Sequence, residues 1–239
     1  MRRFLWVLAA VGSLVAQTLS YVASIKPNNA VDGRGLSEYS PGGRFAATAI
    51  TVASLIRSAY RIQGYQLVGA PGWFSTRRYD ISAKADETPA PTQQTLLRAL
   101  LKDEFKLAVH DETREMPVFA LVLARSDGRL GSKLVKSDSD CAACGARSNS
   151  GSFSGKAVPI SQLAASLGFF AGRFVIDKTA LAGGYDMELT WTPDEAAGGG
   201  PDGPSLFTSI QEQLGLKLVP ERGPVTVLVV DRAAEPVPE

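Results

Sequence analysis

Two Tyr-Asp pairs are the residues of this chain best placed, by type and context, to do chemistry. Tyr79-Asp80 and Tyr185-Asp186 each sit in an alternating, strand-like stretch. Two carboxylates could divide general acid and general base work, provided the chain brings them to one cleft with a partner that shifts their proton affinity. The spacing argues for a structural job instead. The two pairs occupy equivalent places in two similar halves, so each tyrosine is expected to pack inward and each aspartate to cap or pair at a strand edge. His110 is the one histidine of the chain and would have to be the base of any triad. No serine stands in a Gly-x-Ser-x-Gly elbow, and His110 reads as a surface or capping group at a strand end. Asp177-Lys178-Thr179 has the look of a phosphorylated loop, but no phosphate-cradling glycine loop accompanies it, so it reads as a strand end and turn. Gly198-Gly199-Gly200 lacks the Lys and Ser/Thr of such a loop. Trp73 and Phe74, after Pro71-Gly72, form an aromatic loop that either stacks on a partner or glycan or folds back as a plug. Binding, if present, is therefore assigned to Trp73, Phe74, Tyr79 and Tyr185, with no catalytic residue, no metal ligand and no cofactor.

The cysteines, Cys141 and Cys144, are spaced Cys-Ala-Ala-Cys. Two thiols are too few for a tetrahedral zinc site. Their surroundings are Ser, Asp and Gly, which is loop composition rather than the strand-to-helix junction of a redox motif. In an oxidising compartment they are expected to close a small disulfide.

The elements that must hold these residues repeat. Thr51–Ile56 is echoed by Pro159–Ala164, Arg78–Ser82 by Gly184–Glu188, Leu97–Val109 by Leu206–Leu218, and Pro117–Leu123 by Pro224–Val230, at offsets of 106 to 109 residues. Each copy reads β-α-β-β-α-β-β, with a turn at Glu112–Met116 in the first. Helices carry apolar stripes such as Leu96, Leu97, Leu100 and Leu101, behind a Thr92 N-cap. The fold class expected is α+β: two tandem pseudo-symmetric repeats, each a two-layer helix-on-sheet unit. The expected domain limits are 1–20 a signal peptide, 21–44 a leading strand and loop, 45–125 the first repeat, 126–152 a flexible linker, 153–232 the second repeat and 233–239 a frayed tail.

Arg2 and Arg3 precede an apolar run from Phe4 to Ala16, too short to span a bilayer comfortably and followed by small residues suited to cleavage. The chain is therefore expected to be exported, to the periplasm or beyond, with no stable membrane span after cleavage. Without Arg2 and Arg3 it has 23 basic and 24 acidic residues and no long basic run. That balance argues against a nucleic-acid partner.

These stretches resemble a family of exported acidobacterial soil-associated proteins, defined as a domain of unknown function. The resemblance is carried by Val22–Pro27, Pro41–Phe45, Gly69–Trp73 with Arg78–Ile81, Phe105–Leu107 with His110 and Glu112-Thr113, Asp177–Thr179, Tyr185-Asp186 with Trp191–Pro193, and Ser205–Phe207 with Gln213–Leu216. Family members usually carry Gly where this chain has Ala180, a change that should reshape one turn. The resemblance implies export and leaves activity open. In the second copy the helix entry Val158–Leu163, the stretch Leu181–Tyr185 and the helix and strand Ser205–Leu218 follow the element order of the short N-terminal domain of secretins and TonB-dependent receptors, a periplasmic docking module that each repeat distantly resembles. That likeness implies a protein partner in the envelope. The alternative is an envelope hydrolase or a glycan-processing or glycan-binding accessory protein.

Overall fold

The computed structural model describes residues 19–29, 35–138, 144–193 and 203–236. The chain divides into two compact units, one of residues 1–61, 71–107 and 232–239, the other of residues 62–70 and 108–231. Both mix helix and sheet, and the described residues hold three open sheets.

The first unit contains β1 (Tyr21–Asn28), β2 (Leu36–Ser40), β3 (Arg44–Thr51), α1 (Val52–Tyr60), α2 (Trp73–Thr76), β5 (Arg78–Ala85) and α3 (Gln93–Glu104). Its antiparallel sheet has the order β1-β5-β3-β2. Period-two alternation sorts the faces. Phe45, Ala47, Tyr79, Ile81 and Ala83 point inward and are buried, while Arg44, Ala46, Thr48, Ser82 and Lys84 are exposed. Thr51 caps α1 by accepting from the Ser54 amide at 3.3 Å, and Thr92 caps α3 by accepting from Thr95 at 3.2 Å. Leu96, Leu97, Leu100 and Leu101 of α3 are fully buried. Arg98 ties the helices together: its Nε donates to the Ala59 carbonyl at 2.9 Å and its guanidinium lies 4.7 Å from the Tyr60 ring centre.

The second unit holds β4 (Leu67–Val68), β6 (Ala108–Leu123), β7 (Leu134–Lys136), β8 (Gly145–Asn149), β9 (Ser152–Val158), α4 (Ile160–Ala171), β10 (Val175–Asp177), β11 (Tyr185–Thr190), α5 (Leu206–Ser209) and β12 (Leu216–Arg232). A π-helical stretch, Ile210–Leu214, continues α5. One sheet has the order β7-β11-β9-β8 and is antiparallel. The other has the order β10-β6-β12-β4, in which the short outer strands run parallel to their long neighbours. Phe153, Ile160, Leu163, Leu167, Ile210 and Leu214 form its main core, and Val118, Val225 and Val227 a smaller one.

Three expectations are corrected. Glu112–Met116 is no turn: β6 runs unbroken through it. The charges of Asp111, Glu112, Arg114 and Glu115 mark a solvated stretch of strand, and Pro117 lies before Phe119, where pairing with β10 begins, so its missing N–H breaks no bond there. Residues 126–152, expected as a flexible linker, contain β7 and β8, which form the two edges of one sheet. The tail does not fray at 233–236, because the Ala234 amide donates to the Phe105 carbonyl at 2.8 Å. Residues 237–239, the glycine run 198–200 and all of the signal segment except Leu19 and Ser20 lie outside the described residues.

Candidate functional site

The two aspartates do one structural job each, by the same means. In β3 the alternation slips between Ala47 and Ile50, leaving a bulge in which Ala49 takes a positive φ of 51°. Asp80, across on β5, accepts from the Ala49 amide at 2.9 Å and from Asn28 Nδ2 at 2.7 Å. Both bonds favour the ionised form and hold the carboxyl below its usual range. In the other unit Ala157 takes a φ of 50°, and Asp186 accepts from its amide at 2.8 Å. That bond, with one from the Ser137 hydroxyl, lowers the Asp186 carboxyl likewise. Each bulge immediately precedes a helix, α1 or α4, so the carboxylate fixes where strand turns into helix. Tyr79 and Tyr185, beside them, are buried inward.

His110 lies inside β6, not at a strand end. Its Nδ1 is 2.9 Å from Asp231 on β12, and both side chains are about half exposed. Asp186 is held on a different sheet by different partners, so the second unit does not gather the two. Asp177 closes the end of β10 by accepting from the Thr179 amide at 2.9 Å and hydroxyl at 2.7 Å, and the next residue, Ala180, has a φ of 59°. Among the described residues no group of His, Cys, Asp and Glu is arranged to hold a metal ion, and no helix is long and apolar enough to cross a membrane. Cys144 is exposed; its expected disulfide partner, Cys141, lies outside the described residues.

The aromatic loop is the short helix α2. Phe74 is fully buried and meets Trp73 edge-on at 4.6 Å. Trp73 is half-buried and stacks on Phe105 at 6.5 Å, with Tyr79 meeting the same ring edge-on at 5.4 Å. Of the four residues assigned to binding, Phe74, Tyr79 and Tyr185 are thus buried in the two cores, with Tyr79 also lining a cleft, and Trp73 is the one that is half-buried. Beyond α2 opens a cleft of about 670 Å³ lined by Asn28, Ser75, Arg77, Arg78, Tyr79 and Glu235, among others. Arg77 forms a 2.7 Å ion pair with Glu235 of the tail. Sequence reasoning passed over Arg77 and Glu235. The available signal was a pair of arginines directly after an aromatic turn, in a chain whose last residues are acidic.

The open face of each antiparallel sheet carries a shallow depression. In the first unit it is floored by Ser24, Ala46, Ser82 and Asp80, and in the second by Lys133, Gly155, Glu188 and Asp186. Edge strand β2 bears Leu36, whose surface is 73% exposed.

A family model described as a protein of unknown function (DUF3738) matches residues 53–233. No curated protein and no solved structure matches the chain.

Proposed function

The chain belongs to the DUF3738 family of proteins of unknown function, and on that premise we propose that it is an exported envelope module, built of two copies of one repeat, that works by protein–protein contact. The repeat reading is supported by strand order. Counted along the chain, the sheets β1-β5-β3-β2 and β7-β11-β9-β8 both place their strands in the order first, fourth, third, second, and the order β10-β6-β12-β4 gives each long strand one short parallel neighbour. On this reading the copies begin earlier than the sequence suggests, with 126–152 as the counterpart of 21–44. The likeness to the docking domains of secretins and TonB-dependent receptors, and export behind a signal at residues 1–20, belong to the same proposal.

One observation carries the contact itself: the edge strand β2. Natural sheets guard their edges with charged side chains, Lys above all, and with Pro. β1 has Lys26 and Pro27, β7 has Lys136 and β8 has Arg147. β2 is Leu-Ser-Glu-Tyr-Ser, with one charge, Glu38, and no Lys, Arg or Pro, and its Leu36 is 73% exposed, against 68% for Val22 on β1 and 58% for Val135 on β7. Such an edge suits addition of a partner's strand. The test is cross-linking in the producing cell with a photoreactive group placed at Ser37. A discrete cross-linked protein, lost when Leu36→Lys is added and kept when Arg147→Lys is added instead, supports the reading. A pattern indifferent to Leu36→Lys sinks it. Export is tested separately, by fractionating cells that carry the full chain and cells lacking residues 1–20.

A further inference from the structure

We propose that the cleft beside α2 is a binding site for an extended, acidic, proline-containing peptide segment, and that the chain's own tail occupies it in cis. The argument starts from the tail. Residues 233–236 read Ala-Ala-Glu-Pro and belong to no helix or strand, yet two of them are held at defined points. The Ala234 amide donates to the Phe105 carbonyl at 2.8 Å, and the Glu235 carboxylate pairs with Arg77 at 2.7 Å. Pro236 then lies along the cleft wall. A proline-containing segment is already restricted in φ, so it gives up little conformational freedom on binding. One backbone bond, one charge pair and one proline contact are the elements by which an extended segment is recognised.

The receiving surface has the matching chemistry. Arg77 offers a forked guanidinium, the geometry suited to a carboxylate. It sits at the end of α2, whose Trp73 stacks on Phe105, the residue that receives the tail's backbone bond. Tyr79 closes the floor. Burial raises its phenol's proton affinity first, the Glu235 carboxylate raises it further, and Arg77 opposes them. The phenol thus feels both members of the pair. The cleft also extends beyond Glu235 and Pro236. Its volume of about 670 Å³, lined by Asn28, Asn29, Ser75 and Thr76 as well as by Glu235 and Pro236, suits a segment of several residues.

Occupation in cis makes the site self-guarding. A tethered tail competes at a high effective concentration, so a free segment must displace it. This proposal is independent of the β2 edge, since it uses other residues and either can fail alone. The probe is a capped, dye-labelled peptide of residues 231–236, Asp-Arg-Ala-Ala-Glu-Pro, titrated into the full chain by fluorescence anisotropy. The tail is released by Ala234→Pro, which removes the N–H donor, together with Glu235→Ala. Binding to the released protein is expected to be at least about tenfold tighter than to the unchanged protein, the factor set by removing the tethered competitor. Adding Arg77→Ala to the released protein should weaken it by up to about fivefold, the range open to an exposed ion pair, and a peptide with Gln for Glu should lose as much. Equal binding by the released and unchanged proteins overturns the proposal. So does binding that ignores Arg77→Ala. Glu235→Ala alone, at an exposed position, keeps the test open if the double change disturbs folding, and should give a smaller gain of the same sign.

Discussion

The antiparallel sheet of the first unit and its counterpart β7-β11-β9-β8 in the second share a strand order, a bulge and an aspartate on that bulge, yet differ in nearly everything they show to solvent. Where Ser24 and Ser82 pair across the first sheet, Lys133 and Glu188 form a 3.0 Å ion pair on the second. The helix that follows is twelve residues long in the first unit, α3, and in the second is four residues of α5 running into a π turn. The difference teaches which parts are architecture and which are free to vary. The inward residues and the bulge carboxylates set the fold. The outward rows and edges are where a contact surface can be written on one unit and erased from the other.

The hardest test of the comparison is in the cores. Leu97, Leu101 and Phe105 in the first unit and Leu206, Ile210 and Leu214 in the second follow the same i, i+4, i+8 spacing, and all are buried. Leu101→Ala and Ile210→Ala should each cost about 2–5 kcal/mol, from lost burial and an unfilled cavity. Lys102→Ala and Glu212→Ala, on exposed positions beside them, should stay within about 0.5 kcal/mol. Calorimetry of the four variants also separates two cases. Two transitions, each lowered by only one core change, would mean units that melt independently. One transition lowered by both would mean a single cooperative fold. Equal tolerance of core and surface changes would defeat the matching of the helices.

Next come the bulge aspartates. Both carboxyls are held below their ordinary values in the folded chain, so their contribution is complete above the unfolded value, near pH 3.9, and is lost as pH falls through the lower folded values. Asp80→Asn and Asp186→Asn should each lower stability at neutral pH, by less than the core truncations, and each should flatten the pH dependence below about pH 4. Denaturant titrations at several pH values check this. If only one variant shows the effect, the two bulges are not doing the same job.

Much of this was legible beforehand. The Thr92 cap and leucine stripe announced α3, and the repeated Tyr-Asp pairs announced a structural use of both residues. Edge strand β1 was legible as the leading strand, but β7 and β8 were not, because both are short and lie in a stretch rich in Ser, Gly, Asp and Lys. The continuous β6 was hidden by charges that only a neighbouring strand makes sense of. The pairing of β4 with β12 and of β10 with β6 is long-range, and no local pattern of Leu67–Val68 or Val175–Asp177 encodes it. The Arg77–Glu235 pair joins residues 158 positions apart, and opposite charge alone does not single out these two among the chain's many charged residues.

A third prediction concerns Ala180, whose φ of 59° lies in the left-handed region that favours glycine. The left-handed region costs an L-residue about 1–2 kcal/mol, partly offset because glycine is more flexible when unfolded. Ala180→Gly should therefore stabilise by about 0.5–1 kcal/mol, read from a chemical-denaturation midpoint. A loss of stability would mean that the turn after Asp177 depends on the methyl group.

The smallest effect is expected from exchanging the outward rows. Lys133 and Glu188 are well exposed, at 53% and 70% of their side chains. An exposed pair of this kind is worth about 0–1 kcal/mol and is screened by salt. Replacing both with Ser, to give the second sheet the row of the first, should shift stability by no more than about 0.5 kcal/mol, and by less still at about 1 M salt, where charges interact over only about 3 Å. The reverse exchange, Ser24→Lys with Ser82→Glu, should be as mild, because both serines face solvent on the open side of their sheet. That mildness makes the pair useful. A partner that docks on β2 by strand addition contacts the edge and leaves the open face alone, so cross-linking at Ser37 should survive the reverse exchange. If the fold is unchanged and the cross-link disappears, the contact extends over Ser24, Ala46 and Ser82. The surface that differs between the two units would then be part of the docking site, and the edge only its border.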